Sequence, residues 1–79
     1  MSNGIDDQDS RLTAIGLRQR MRDAAASIAA TEDWVADTLE RLARARPHDA
    51  ARLRARAADA RNFAAEERAR AAQYAVRPR

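Results

Sequence analysis

The sequence has no cysteine and no lysine, and among its 79 residues only two are glycine and two are proline. Without cysteine, neither a disulfide framework nor a thiolate metal site can form. His48 is the only histidine, so no second imidazole is available to build a metal site with it. A catalytic pocket needs convergent polar groups on a thick core, which so small a chain rarely provides. We therefore expect no enzyme, no cofactor and no small-molecule substrate.

Long apolar segments are also missing. The first residues contain neither the basic region nor the apolar region of a secretory signal. Within the helical part, the longest uncharged run is Ala24 to Thr31, eight residues against the ~20 that a membrane-spanning helix needs. These features predict a cytoplasmic protein with no membrane partner. The use of arginine without lysine, together with abundant alanine, is typical of a GC-rich bacterial genome.

Alanine and arginine dominate what is present, with 21 alanines and 15 arginines. Both residue types favour helix and disfavour strand. Twelve acids leave a net charge of +3, and the charge is uneven along the chain. It is −3 over residues 1–9, +2 over residues 10–46 and +4 over residues 47–79, which add up to that total. The carboxyl-terminal half is therefore the basic half.

The order of residues predicts two helices joined by a short turn. We expect a disordered acidic lead-in over residues 1–9, a long helix over 10–46, a turn over 47–49, a second helix over 50–75 and a basic tail over 76–79. Asp9 or Ser10 is placed to cap the first helix. Pro47 ends that helix, because a residue before proline is pushed out of the helical region. Asp49 is placed to cap the second helix.

Both predicted helices carry apolar residues at heptad spacing, which is typical of coiled coils. The first seam consists of Ala14, Met21, Ile28, Val35 and Leu42, alternating with Leu17, Ala24, Thr31, Thr38 and Ala45. The second seam consists of Ala50, Ala57, Ala64 and Ala71, alternating with Leu53, Ala60, Glu67 and Tyr74. Because a short turn makes consecutive helices antiparallel neighbours, we predict an all-α, two-helix antiparallel hairpin with an alanine-rich seam.

A hairpin of this size buries one stripe per helix, and alanine contributes little area to it. With no disulfide and no metal, association with another chain is the remaining source of stability. We expect either a homodimer that forms a four-helix bundle or docking on a larger protein, which makes the protein an interaction or regulatory module. A monomer of high intrinsic helicity remains an alternative. The predicted packing and interface residues are Met21, Ile28, Trp34, Val35, Leu39, Leu42, Leu53, Phe63 and Tyr74.

The arginines of the second helix suggest a different function. Arg54, Arg61 and Arg68 recur every seven residues and would line one flank of the seam. Such a stripe could bind the phosphates of a nucleic acid, or it could be a solvated flank with ion pairs to nearby acids. No recognised nucleic-acid-binding motif accompanies it. Nucleic-acid binding is therefore the second hypothesis, with Arg52, Arg54, Arg56, Arg61, Arg68 and Arg70 as its residues.

Overall fold

The computed structural model describes the backbone of residues 3–75 and the side chains of residues 8–75. Helix α1 spans Asn3–Ala45, a 3-10 turn spans Pro47–Asp49, and helix α2 spans Ala50–Tyr74. The two helices pack against each other in an extended molecule of 71 × 20 × 14 Å. The predicted all-α, two-helix hairpin is thereby confirmed.

The helix ends differ in part from the predicted ones. Helix α1 begins at Asn3, seven residues before the predicted start at Ser10, so Asp9 and Ser10 lie inside the helix and do not cap it. The part of the predicted lead-in over residues 3–9 lies within α1 as the structure describes it. Helix α2 ends at Tyr74, one residue before the predicted end. The predicted basic tail over 76–79 and the first two residues lie outside the described part of the chain.

The turn follows the prediction closely. Helix α1 ends at Ala45, and the backbone N–H of Arg46 still donates to the carbonyl oxygen of Leu42 over 2.9 Å. Pro47 occupies the first turn of the 3-10 segment, where its missing N–H is not needed. Asp49 occupies the N-cap position of α2, but its side chain accepts no capping hydrogen bond. Its carboxylate lies 3.5 Å from the guanidinium of Arg52 instead.

Alanine forms most of the core between the helices. The predicted seam of α2 is confirmed at its centre, where Leu53, Ala57, Ala60, Ala64 and Glu67 are buried. Opposite them, the buried residues of α1, among those whose side chains are described, are all alanines: Ala25, Ala29, Ala36 and Ala43. Small side chains on both helices let the two backbones approach closely, so contact comes from main chain and Cβ atoms rather than from large side chains.

The predicted seam of α1 is wrong by one residue. Met21, Ile28 and Leu42 were expected in the seam, yet they remain 39%, 43% and 37% exposed. The buried heptad is the one that contains Ala29 and Ala36, each one residue further along the chain. Small side chains on both helices permit a close approach, which favours alanine over larger residues between them, and the larger residues of α1 lie to one side. Hydrophobicity alone favours the heptad positions with the larger residues as the seam of α1.

Candidate interaction surfaces

The displaced heptad pattern forms an exposed surface along α1. We call it the α1 stripe. Met21, Ile28, Val35 and Leu42 lie along the edge of the seam, and Val35 is the one of these four that is half-buried. The remaining members lie further from α2 and include Leu17, which is 55% exposed. The full α1 stripe consists of Ala14, Leu17, Met21, Ala24, Ile28, Thr31, Val35, Thr38, Leu42 and Ala45.

A shallow groove between the helices adds residues of α2 to this surface. Its volume is about 320 Å³, and Val35, Leu39, Ala60 and Phe63 form its apolar lining. Val35 and Leu39 pack against the buried cluster of Ala36, Ala57 and Ala60. The charged rim consists of Glu32, Arg56 and Asp59. Three of the predicted interface residues, Val35, Leu39 and Phe63, therefore meet at one place.

A second groove lies nearer the open end of the hairpin. Its volume is about 240 Å³, and it brings Met21 and Ile28 of α1 beside Tyr74 of α2. The same groove contains Glu67, a carboxylate in the seam that is only 5% exposed as a residue. Nη1 of Arg70 donates to Oε1 of Glu67 over 2.8 Å, so this buried charge is paired.

Trp34 lies apart from both grooves. It is 63% exposed, the largest exposed fraction among the large apolar residues of the described chain. Trp34 precedes the fully buried Ala36 by two residues, and two helical steps of about 100° place it on the side of α1 that faces away from α2. Of the predicted interface residues only Leu53 is buried inside the hairpin, and Trp34 is not among the hydrophobic residues that pack against the core cluster.

The opposite flank of the hairpin is ionic. Arg61 of α2 reaches three carboxylates of α1, with its Nη2 2.8 Å from Oδ1 of Asp37 and 2.9 Å from Oε2 of Glu40. Its Nη1 lies 3.8 Å from Oδ1 of Asp33. Arg68 binds the other oxygen of Asp33. These contacts join the two helices over one side of the alanine seam, where the bidentate contact with Glu40 is the best-oriented pair.

The ion pairs shift the proton affinities of their members. The hydrogen bonds from Arg61 lower the pKa of Glu40 below its ordinary value of 4.5. The hydrogen bonds to Glu40 and Asp37 raise the pKa of Arg61, which therefore stays charged at any physiological pH. Both groups are solvent-exposed, so these contacts orient the helices more than they stabilise them.

Four of the six arginines proposed for nucleic-acid binding are engaged with carboxylates. Arg61 and Arg68 bind α1, Arg70 binds Glu67, and Arg52 lies near Asp49. Arg54 and Arg56 form no ion pair with any residue of the described chain. The heptad repeat of Arg54, Arg61 and Arg68 therefore corresponds largely to an interhelical ionic flank.

The sequence interpretation missed the carboxylates that bind Arg61. The available signal was the heptad spacing of Asp33 and Glu40, which matches the spacing of Arg61 and Arg68. In an antiparallel pair, residues that flank the two seams face each other. The one-residue error in the α1 seam moved these acids out of that flanking position, which hid the pairing.

Other kinds of site find no support in the described part of the chain. No group of three or more metal-ligating side chains occurs among the residues searched, and His48 is exposed in the turn. Neither described helix is long and apolar enough to cross a membrane. No known protein family, curated protein or solved structure matches this chain. The exposed apolar residues on an extended hairpin remain the main feature, and they point to binding of a partner.

Proposed function

We propose that this protein is a small, non-enzymatic interaction module that acts by binding another protein chain through the α1 stripe and the adjoining Phe63. Self-association into a four-helix bundle and docking on a larger protein are the two forms this function can take. A regulatory role would follow from such binding.

A single observation carries the proposal: Met21, Ile28 and Leu42 of α1 are exposed along one side while alanine occupies most of the core. Ile28 and Leu42 are 43% and 37% exposed. Phe63 is 44% exposed and shares a groove with Val35 of the same stripe. Contiguous apolar surface of this kind on a soluble protein marks an interaction site more often than it occurs by chance. An aromatic residue and half-buried aliphatic residues at the edge of a groove are typical anchors of protein interfaces.

Nucleic-acid binding has weaker support. Phosphate binding needs arginines with free guanidinium groups, and Arg61 already contacts three carboxylates of α1. Arg54 and Arg56 alone would give a small electrostatic contribution. We retain this hypothesis as the alternative, and retention on a nucleic-acid column that falls steeply with salt would favour it.

Capture from the native host tests the proposal. The bait is the full chain with a removable tag, compared with the variant Ile28→Ser/Leu42→Ser and with the control Ala58→Gln on the exposed surface of α2. We expect the wild type and the control to retain the same chains, whether untagged copies of this protein or other proteins, and the stripe variant to lose them. Equal capture by the stripe variant, or no captured chain for any bait, would contradict the proposal.

A further inference from the structure

The amino-terminal part of α1 extends beyond the end of α2. Tyr74, the last residue of α2, lies in the same groove as Met21. Residues 8–21 of α1, which we call the arm, are all exposed except Gly16, which is half-buried. Leu12, Ile15 and Leu17 of the arm are 59%, 42% and 55% exposed. A helix of this length is marginal in water on its own, so burial of these side chains would stabilise it.

The charges of α1 fall into two blocks. Residues 10–22 contain four arginines and no acid, whereas residues 23–40 contain five acids and no base. A second α1 helix in parallel orientation would bring like charges together. In antiparallel orientation the basic block of each copy runs beside the acidic block of the other. Asp33, Asp37 and Glu40 already bind Arg61 or Arg68 on the opposite flank, so the blocks favour this orientation mainly through long-range attraction, and Glu32 is the acid placed for direct contact.

The α1 stripe is also complementary to itself in this orientation. When two α1 helices cross antiparallel near Ala26, Leu17 of one copy lies opposite Val35 of the other, and Ala24 lies opposite Ile28. Each large side chain near the centre meets a smaller one. The uncharged run Ala24–Thr31 forms the middle of the contact, and its small side chains permit a close approach.

The same alignment gives partners to groups that have none within the described chain. Arg18 of the arm comes within two residues, about 3 Å along the helix axis, of the level of Glu32 in the second copy, and neither residue forms an ion pair within the described hairpin. Arg20 likewise comes within two residues of the level of Trp34, a residue that is 63% exposed. An arginine over a tryptophan face is a favourable cation–π contact. The orientation therefore gives a partner to Leu17 of the arm, to Glu32 and to the exposed tryptophan at once.

We propose that the partner of the α1 stripe is a second copy of this chain, bound antiparallel so that the arm of each copy covers the acidic segment of the other. The inference rests on the proposed function and identifies its partner. Because the two-fold relation repeats every contact, Arg18–Glu32 and Arg20–Trp34 each occur twice.

The chain has no cysteine, so single cysteines can report the orientation without interference. Leu17→Cys and Val35→Cys are prepared with tags of different mass, mixed, oxidised and analysed by mass spectrometry. In the antiparallel dimer the mixed pair lies in contact, whereas two copies of the same cysteine lie about 27 Å apart along the helix axis. We expect the mixed disulfide to dominate. Mainly homotypic disulfides would indicate parallel pairing and overturn the inference.

Sedimentation provides the second measurement. We expect the wild type to pass from 8.8 kDa towards twice that mass as its concentration rises. Arg18→Glu and Glu32→Arg should each weaken the dimer by roughly tenfold through repeated like-charge contacts, and the combined variant should restore most of the affinity. Arg54→Gln, on the other flank, is the control.

The outcomes separate this inference from the proposed function. A folded wild type that remains monomeric up to high micromolar concentration overturns the second copy as partner, while loss of captured host proteins by the stripe variant would still support the proposed function. Failure of the combined charge variant to recover affinity overturns the antiparallel alignment. Loss of capture by both wild type and variant counts against both proposals.

Discussion

Two neighbouring heptad stripes of α1 have opposite environments. The stripe of small residues, with Ala29, Ala36 and Ala43, is almost completely buried against α2. The stripe one residue earlier in each heptad, with Ile28 and Leu42, is more than a third exposed. The difference shows that side-chain size, rather than hydrophobicity, selects the face that packs between closely spaced helices. It also leaves the more hydrophobic stripe available to another chain.

The largest expected effect compares two leucines at the turn end of the hairpin. Leu53 is 6% exposed and Leu42 is 37% exposed. Leu53→Ala should lower the free energy of unfolding by about 2–4 kcal/mol, since Leu53 is the one apolar residue larger than alanine among the buried residues of α2. Leu42→Ala should lower the free energy of unfolding by about 1 kcal/mol, because much of the Leu42 side chain already contacts water. Urea unfolding followed by circular dichroism, at a concentration below any self-association, measures both values.

Equal decreases in the free energy of unfolding for the two leucine variants would contradict this prediction. Such a result would mean that the α1 stripe contributes to the hairpin as much as the seam does. Repeating the measurement at high protein concentration sharpens the test, because association would add a cost to Leu42→Ala alone.

The tight spacing of the helices can be tested by enlarging a seam residue. Ala36 is fully buried, and it packs with Ala57 and Ala60. Ala36→Leu should destabilise the hairpin by about 1–3 kcal/mol, because the added side chain forces the helices apart. The matched control is Ala30→Leu at an exposed position of α1, which should change stability little. Thermal unfolding of the two variants compares them directly, and a neutral or stabilising Ala36→Leu would show that the seam has room for larger residues.

A smaller gain is expected in the arm. Gly16 lies inside α1 without positive φ, and a Cβ atom added there meets no heavy atom within 4 Å. Gly16→Ala should therefore stabilise the arm helix by about 0.5–1 kcal/mol, the difference in helix propensity. Amide hydrogen exchange over residues 8–21 would show slower exchange in the variant. Exchange within α2 serves as the internal control, and unchanged exchange in the arm would contradict the prediction.

The smallest effect concerns the ionic flank at acid pH. The pKa of Glu40 is lower in the folded chain than its ordinary value of 4.5, so its contribution to stability is present above that value. The contribution disappears as the pH falls through the lowered pKa, because the protonated carboxyl group no longer binds Arg61. We expect the thermal midpoint of the wild type to decrease in this range more than that of Glu40→Gln. Parallel curves of thermal midpoint against pH for both proteins would show that solvent screening leaves the Glu40–Arg61 contact without a measurable effect on stability.

The sequence predicted the turn and the α2 seam because both depend on local chemistry. Pro47 cannot continue a helix under any tertiary arrangement. A second face of alanines lies beside the α2 seam, but the seam alone also contains the larger Leu53 and Tyr74. The start of α1 was placed too late because its polar residues 3–9 gave no apolar periodicity. The α1 seam was misplaced because two adjacent stripes were both compatible with helix periodicity, and the choice between them depends on the partner helix.

By itself the sequence determined an α-helical hairpin, the position of its turn and the face that α2 buries, since alanine, arginine and one proline act through local propensity and steric exclusion. Only the tertiary structure decided which face of α1 meets α2 and which carboxylates bind Arg61. These outcomes depend on the distance between the helices, which small side chains on α2 set for both of them. As a result, the heptads of Ile28 and Leu42, which the sequence predicts as core, form the exposed surface on which the proposed function rests.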